Sequence, residues 1–424
     1  MVHARRTALV IAVLMAAAVP PAHAAELRSK LPLVAIKTSK PIPNEPKVAA
    51  RMRVIYRAGR RANNLSDSAN VYSGRAGIET RGHSSQLFPK KQYGIELRDR
   101  RGEGRDAALL GMPADDWVPS ANYNDKTLIR NATAYRTARS VFGRWAPRTR
   151  HVEVVLNGNY RGVYVLTQRI ELGEGRVEAE DGWILELVFG YQAIGERHFT
   201  SPRTRRPLIF TDPDEPSRRE ARVIRRDVRR FERALYGKRF RHPRLGWRAR
   251  LAPSAAVDYV LLQELLGNQD AFHASTYFHR APGERIAFGP LWDFDIAMGN
   301  TTVDRFRSVP GWHLGGRPYV ERLYRDGHFV RAMARRWREL RRDGLRRDVL
   351  AIVASDARRI GRPQARNFRR WRILGRYVWP NPVDPATGRY RPTWRSEVDY
   401  LRRWLGARIA WMDRALPARA RRGG

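Results

Sequence analysis

The chain has 424 residues, a formal net charge of +39 at pH 7 that is carried almost entirely by arginine, 42% apolar residues and 12 tryptophans. This apolar content excludes a disordered chain, and the length suits one large domain or two ordinary ones. The absence of cysteine excludes a fold held by disulfides.

The first 24 residues have the pattern of a secretory signal peptide. In MVHARRTALVIAVLMAAAVPPAHAAE, two arginines precede a short apolar run that ends in Ala22-His23-Ala24, which predicts cleavage after Ala24. The alternative is an uncleaved anchor, but the run is shorter than the roughly 20 apolar residues of a membrane span. We therefore expect an exported protein, periplasmic, extracellular or at the cell surface, with no transmembrane segment after signal removal.

Residues 25–187 show mainly the short alternating pattern of β-strands, which predicts a sheet-rich N-terminal lobe. Asn157-Gly158-Asn159 lies between two β-rich runs and predicts a hairpin. The segment DKTLIRNATAYRTARSVF predicts one helix within this lobe, with Asp125 as its N-cap.

Residues 188–424 change period and predict a mainly helical C-terminal lobe. Two helices are expected in SRREARVIRRDVRRFERALYG and SAAVDYVLLQELLGNQD, the second with Ser254 as N-cap and Gly267 near its end. TYFHR and IAFGPLWDFD predict strands, and the chain after about Arg317 is helical except around WPNPVDPATGRYRP. The predicted fold class is therefore α+β.

The arginines are spread along helical faces. In FVRAMARRWREL, the apolar residues are spaced by four, four and three positions, which leaves the arginines on the solvated side; the stripe consists of Phe329, Met333, Trp337 and Leu340. Such a charge could attract nucleic acid, anionic lipid or acidic proteins. The scattered pattern favours a solvated basic surface, and we do not expect a nucleic-acid partner.

Two acids, Asp293 and Asp295, lie two residues apart in the apolar stretch FGPLWDFDIAMGN. On an extended strand they would share one face, while Phe294 and its neighbours would face the core. Two charges on one face of an apolar strand need compensation, by a hard divalent cation or by an arginine. The residues alone leave both explanations open.

Asp270 precedes this pair on a predicted loop after a helix, with Glu264 and Asn268 close by in sequence. An acid on a loop, followed by a strand hairpin that ends in a second acid, is the layout of kinases. There, one Asp orients the attacking hydroxyl and another holds Mg²⁺.

The N-terminal lobe contributes RGHSSQLFPKKQYGIEL. Gly82, Ser84 and Ser85 form a small-residue turn, and Lys90 and Lys91 follow it near a predicted strand. Backbone N–H groups and a lysine in this arrangement can hold phosphate oxygens. The alternative is a basic strand end at the surface.

Five motifs in order resemble the spore-coat protein H (CotH) family of secreted, kinase-like proteins, over about residues 31 to 300. These motifs are RGHSSQLFPKKQYGIEL, LLGMPADDWVPSANYNDKTLIRN, VEVVLNGNYRGVYVLTQRIELG, DGWILEL and FGPLWDFDIAMGN. The resemblance implies a bilobal atypical protein-kinase fold. It also implies transfer of the γ-phosphoryl group of ATP, with Mg²⁺ or Mn²⁺, to Ser or Thr of a partner protein, for which the basic surface favours acidic partners.

By this resemblance, Asp270 is similar to the catalytic-loop acid, and Asp293 to the metal-binding acid. Lys91, or else Lys90, resembles the lysine that contacts phosphate. The remaining residues implied for the nucleotide are Arg81, Ser84, Ser85 and Glu186, with Glu171 as the alternative to Glu186 as an ion-pairing glutamate.

The sequence departs from the expected pattern at several positions. Ser275 stands where ordinary kinases have a metal-binding Asn, and Asp295 is the candidate that supplies the missing oxygen. Gln168-Arg169 replaces an expected Glu-Lys pair, and His83 an expected Asn. These departures leave open a non-catalytic surface or coat protein with the same fold, or nucleotidylation of proteins. A glycosidase is disfavoured, because Asp293 and Asp295 are too close to flank a sugar ring.

Overall fold

The structure is a computed structural model, and it describes residues 27–59, 62–114 and 116–422. The predicted signal peptide, residues 1–24, lies outside the described residues. Within them, the chain forms sixteen strands and nine α-helices. The mixed content of sheet and helix that the sequence predicts is confirmed.

Most strands precede most helices along the chain. The strands are β1 (Arg28–Ser29), β2 (Leu33–Lys37), β3 (Val48–Ile55), β4 (Asn63–Asn64), β5 (Tyr72–Thr80), β6 (Tyr93–Arg98), β7 (Ala107–Leu109), β8 (Met112–Ala114), β9 (Asp116–Ser120), β10 (Thr149–Leu156), β11 (Asn159–Gln168), β12 (Trp183–Leu187), β13 (His198–Thr200), β14 (Pro207–Asp212), β15 (Thr276–Arg280) and β16 (Ala287–Phe288). The helices are α1 (Arg130–Ser140), α2 (Arg218–Tyr236), α3 (Pro253–Leu266), α4 (Asp304–Arg307), α5 (Val320–Leu323), α6 (Gly327–Arg342), α7 (Leu345–Ile360), α8 (Pro363–Arg370) and α9 (Trp394–Arg421).

Seven strands of the first half close into a barrel in the order β10-β11-β9-β6-β5-β3-β2. Six of the seven junctions are antiparallel, and the parallel pairing of β2 with β10 completes the ring. Closure leaves no free sheet edge, and inward-facing apolar side chains such as Val54, Ile78 and Val152 are fully buried.

The predicted hairpin at Asn157-Gly158-Asn159 is present between β10 and β11, where Leu156 pairs with Asn159. Both residues of the two-residue turn have positive φ, 50° at Asn157 and 77° at Gly158. This is the type I′ geometry that asparagine followed by glycine favours, because their backbones enter the left-handed region at low cost.

A second sheet, with the order β13-β14-β12-β15-β16, lies outside the barrel. Its central strand β12 pairs antiparallel with β14 on one side and with β15 on the other. This sheet brings Glu186 of β12 opposite Tyr277 of β15, just after the loop that carries Asp270. The division of the chain at residue 187 and the two-lobe arrangement stay predictions.

Helix α2 begins where the sequence indicates. Ser217 caps it and forms a reciprocal capping box with Glu220. Helix α3 differs, because its N-cap is Ala252 and not the predicted Ser254: Pro253 occupies the first turn, where its fixed φ suits a helix start. Gly267 ends α3 in the left-handed region, as the pattern indicates.

Helix α1 begins at Arg130, later than predicted, and Asp125 is not its N-cap. The carboxylate of Asp125 instead accepts hydrogen bonds from the backbone N–H groups of Thr127 and Arg130, at 3.0 and 2.9 Å. It also pairs with the guanidinium of Arg130 at 2.6 Å, and both side chains are fully buried. The acid therefore closes a buried turn ahead of the helix.

The acid pair does not lie on a strand, so this prediction is wrong. Strand β16 ends at Phe288, and Asp293 has a φ of 62°, which is not extended backbone. Side chains of α1 fix the segment: Tyr135 Oη accepts from the backbone N–H of Asp293 at 3.2 Å, and Asn131 Oδ1 accepts from that of Phe294 at 2.6 Å. These contacts replace a ladder of backbone hydrogen bonds.

The helical second half packs around α3, α6 and α9. The predicted apolar stripe of α6 is confirmed, since Phe329, Met333, Trp337 and Leu340 are all buried in the main core. None of the helices in the described ranges combines the length and the apolar character that crossing a bilayer requires.

Candidate active site

A cleft of about 1060 Å³ lies where one end of the barrel meets the second sheet and the loops around residues 267–275 and 289–297. Ten acidic side chains line it against five basic ones, in a chain whose net charge is +39. Among the predicted site residues, those that line the cleft are Arg81, Ser84, Ser85, Lys90, Glu186, Asp270, Ser275, Asp293 and Asp295.

Asp270 lies in the tight loop after α3. Its backbone oxygen accepts hydrogen bonds from the N–H groups of His273 and Ala274, both at 2.8 Å, and its own N–H donates to Asn268 Oδ1 at 3.0 Å. Burial, together with the charge of Asp295, raises the pKa of the Asp270 carboxyl to about 7, although the charge of Arg317 opposes the rise.

Asp293 and Asp295 converge although their backbone is not a strand. Burial, together with the charge of Asp270, raises the pKa of Asp293 to about 6. Burial and the neighbouring Asp293 raise the pKa of Asp295 well above its usual range, and the two carboxyls are hydrogen bonded to each other. Ser275 Oγ donates to Asp293 Oδ2 at 3.4 Å.

These acids fit a divalent cation of the Mg²⁺ type. No group of three or more His, Cys, Asp and Glu side chains in the described part of the chain is arranged to hold a metal ion. Mg²⁺ does not need such a cage, because it usually takes one or two carboxylates and completes its octahedron with water and substrate phosphates. Asp293 and Asp295 would supply the carboxylates, and a bound cation would offset the burial and the neighbouring acidic charges that raise their pKa values.

Glu186 faces the cleft from β12, and Glu171 is not among the cleft-lining residues. Burial raises the pKa of Glu186 to about 7, while a hydrogen bond with Tyr277 and the charge of Arg81 lower it. Glu171 pairs with Arg176 at 2.9 Å. Of the two glutamates that the sequence leaves open, the geometry favours Glu186.

The two adjacent lysines point to different places. Lys90 is 2% exposed, and its Nζ donates to the backbone oxygen of Val163 at 2.5 Å and to Asn367 Oδ1 at 3.0 Å. Burial lowers the pKa of Lys90 well below its usual range. Lys91 donates to the backbone oxygen of Gln86 at 2.5 Å and is not among the residues that line the cleft. A phosphate contact by Lys91 stays a prediction, and it requires this side chain to move.

The small-residue turn forms a short 3-10 helix, Ser84–Leu87, preceded by Gly82 with a φ of 90°. The positive φ favours glycine, and a Cβ at Gly82 would lie 2.1 Å from Ser85 Oγ, which would have to turn away. His83 also lines the cleft, and burial lowers its pKa. The turn therefore brings small side chains and backbone to the cleft wall.

The departure at Gln168-Arg169 has a structural explanation. Gln168 is fully buried, where its Oε1 accepts from the backbone N–H of Arg148 and its Nε2 donates to the oxygen of Pro113. Arg169 lines the cleft and pairs with Asp116 at 2.9 Å. Gln168 thus stabilises the barrel, and the charge of Arg169 is compensated at the edge of the cleft.

Sequence reasoning assigned no role to the wall between the barrel and the acid pair. This wall is Ser120–Asn124, at the end of β9, and all five residues line the cleft. The side chain of Asn124 hydrogen bonds to Asp295. The segment falls within the motif LLGMPADDWVPSANYNDKTLIRN, and its run of polar residues after a β-rich stretch is the signal that could have marked it.

A loop acid, an acid pair and a small-residue turn around one cleft define the class, an enzyme-type site suited to a cation and an anionic ligand. The family comparison is more specific. The chain matches the model of the CotH kinase protein family over residues 78–412 and belongs to that family. The resemblance read from the motifs is thereby confirmed, and the family supports a kinase-type function. A search of curated proteins found no match.

Proposed function

We propose that the protein is an exported kinase that transfers the γ-phosphoryl group of ATP to a Ser or Thr hydroxyl of a partner protein, with Mg²⁺ or Mn²⁺. The observation that carries the proposal is the convergence of Asp270, Asp293 and Asp295 in one cleft, where each carboxyl has a raised pKa. Clustered carboxyls with perturbed pKa values in a cleft are typical of functional sites.

Asp270 would orient the acceptor hydroxyl and accept its proton. A pKa of about 7 suits this role, because the carboxylate is available near neutral pH and can still hold the proton it receives. The backbone hydrogen bonds to Asn268, His273 and Ala274 fix the loop, so that the carboxyl is held in place before substrate binds.

Asp293 and Asp295 would hold the cation, with Ser275 Oγ beside Asp293. When bound, the cation neutralises charge on the phosphoryl group in transfer. The predicted nucleotide residues Arg81, Ser84, Ser85, Lys90, Lys91 and Glu186 would bind or orient the triphosphate.

The exposed arginines favour a partner with acidic segments. Because the cleft itself is lined by ten acids and five bases, such segments would contact the surface outside the cleft. The acceptor Ser or Thr would enter the cleft.

The test is a labelling assay with the purified protein, Mn²⁺ and ATP labelled at either the γ or the α position. We expect protein labelling from γ-labelled ATP that is lost in Asp270→Asn and in Asp293→Asn. Asp304→Asn is the matched control, because its side chain is 84% exposed on α4, and it should label as the unaltered protein does. Label from the α position would indicate nucleotidylation, and no label from either would indicate a non-catalytic protein.

A further inference from the structure

The carboxamide of Asn122 is buried in the cleft wall without hydrogen bonds. Asn122 is 6% exposed, and neither Oδ1 nor Nδ2 has a partner among the residues that the structure describes. Buried polar groups are nearly always hydrogen bonded, because a buried group without a partner loses its hydration and gains no compensating interaction. Asn122 is one of the cleft-lining residues, but both carboxamide atoms are shielded from solvent, so a ligand in the cleft would pair with them once the side chain turns toward it.

The position of Asn122 narrows the range of ligands that could pair with its carboxamide. It lies between the end of β9 and Asn124, whose side chain hydrogen bonds to Asp295. Its φ of 50° is left-handed, a conformation that asparagine tolerates better than most residues. Asn122 therefore lies two residues from Asn124, which contacts Asp295 of the acid pair where the cation is proposed.

A carboxamide has an acceptor and a donor side by side, and a metal-bound phosphate offers the complementary pair. Hard cations bind amide oxygens, and phosphate oxygens accept from N–H groups. Ordinary kinases supply an amide oxygen to the metal from the catalytic loop. Here that position is Ser275, whose hydroxyl donates to Asp293.

We propose that Asn122 binds the metal–triphosphate unit, with Oδ1 as a ligand of the divalent cation and Nδ2 as donor to a phosphate oxygen. This inference rests on the proposed nucleotide-dependent function and assigns a residue to it. The amide missing from the catalytic loop is then replaced by one from the segment that follows β9. The edge of adenine could also pair with a carboxamide, and the experiment separates the two.

The experiment is calorimetric titration of the purified protein with Mn²⁺ alone, with Mn²⁺–ATP and with Mn²⁺–inosine triphosphate, together with melting temperatures without ligand. Asn122→Gly removes both groups and accepts the positive φ. Asn122→Asp keeps an oxygen and loses the donor. The matched control is Asn63→Gly, because Asn63 is also buried but bonds to the backbone of Ser29, Leu31 and Arg57.

We expect Asn122→Gly to weaken Mn²⁺–ATP binding at least tenfold, with a ligand-free melting temperature equal to or above that of the unaltered protein. Asn122→Asp should bind Mn²⁺ alone at least as tightly and Mn²⁺–ATP more weakly. Asn63→Gly should melt earlier and keep its nucleotide affinity. Asn122→Gly should leave the ratio of the affinities for Mn²⁺–ATP and Mn²⁺–inosine triphosphate unchanged.

Three results would overturn the inference. Affinity for Mn²⁺–ATP within twofold of the unaltered protein in Asn122→Gly rules out the contact. A preference for ATP over inosine triphosphate that Asn122→Gly abolishes assigns the carboxamide to the base. If the unaltered protein binds neither Mn²⁺–ATP nor Mn²⁺–inosine triphosphate, the proposed function fails, and this inference fails with it.

Discussion

Replacing Arg408 with methionine should destabilise the protein severely. Arg408 and Glu264 form an ion pair at 2.8 Å with both side chains fully buried. Arg408 also donates to the backbone oxygens of Glu264 and Gly311, at 2.9 and 2.8 Å. Glu264 accepts from the backbone N–H of His313 and from Tyr324 Oη, at 2.9 and 2.7 Å. The pair joins α9 to the end of α3, one turn before the loop of Asp270.

The expected loss of unfolding free energy is about 3–5 kcal/mol, because Arg408→Met leaves the charge of Glu264 buried without its partner. The double variant Arg408→Met/Glu264→Gln should lose much less than the sum of the two single variants, since no charge remains to compensate. Urea unfolding followed by far-UV circular dichroism measures each loss.

The control is Arg347→Met, which removes one partner of an exposed ion pair with Asp348 and should unfold as the unaltered protein does. A loss below about 1 kcal/mol for Arg408→Met, or strictly additive losses in the double variant, would refute the reasoning that an isolated buried charge sets the cost.

Three further predictions concern pH, a buried turn and the hairpin. Burial and the charge of Arg408 lower the pKa of His313 to about 3. The unfolded chain binds this proton near pH 6.5 and the folded protein does not. The free energy of unfolding should therefore fall by about 1.4 kcal/mol for each unit by which the pH drops between 6.5 and 3. His313→Gln should flatten this part of the plot of unfolding free energy against pH, measured by urea unfolding. Asp125→Ala should cost about 3–5 kcal/mol, because Arg130 stays buried without its partner; a thermal melt that leaves the midpoint unchanged would contradict this. Gly158→Ala should cost about 1 kcal/mol, because its φ of 77° strains an L-residue, and a change within error in urea unfolding would show that the turn tolerates a Cβ.

The elements that the sequence predicts well are those whose signals are local. Helix α2 forms within the predicted segment SRREARVIRRDVRRFERALYG, and the apolar spacing of α6 sets its buried face. Asn157-Gly158 identifies both the hairpin and its turn type. In each case the residues that determine the structure are neighbours in sequence, so the pattern can be read without knowing the fold.

The elements that the sequence does not predict depend on distant residues. The barrel closes through a parallel pairing of β2 with β10, strands that are far apart in the chain. The backbone at Asp293 is fixed by Asn131 and Tyr135 of α1, so an extended strand, the expectation from local alternation, does not form. Asp293 and Asp295 nevertheless contact each other, and the need to compensate two buried acids, which the sequence does indicate, holds whichever backbone carries them.

The charge of the cleft could not be predicted from the amino-acid composition of the chain. A chain of net charge +39 gathers ten acids and five bases around its cleft, so the field at the site opposes that of the surface. A triphosphate drawn toward the basic surface would meet buried carboxylates at the position where its phosphates must lie. Asp270, Asp293 and Asp295 would repel it unless a divalent cation intervened. The structure therefore leads us to expect that any nucleotide binding is strictly cation-dependent, and ATP that binds equally well in excess chelator would contradict this reading of the acid cluster.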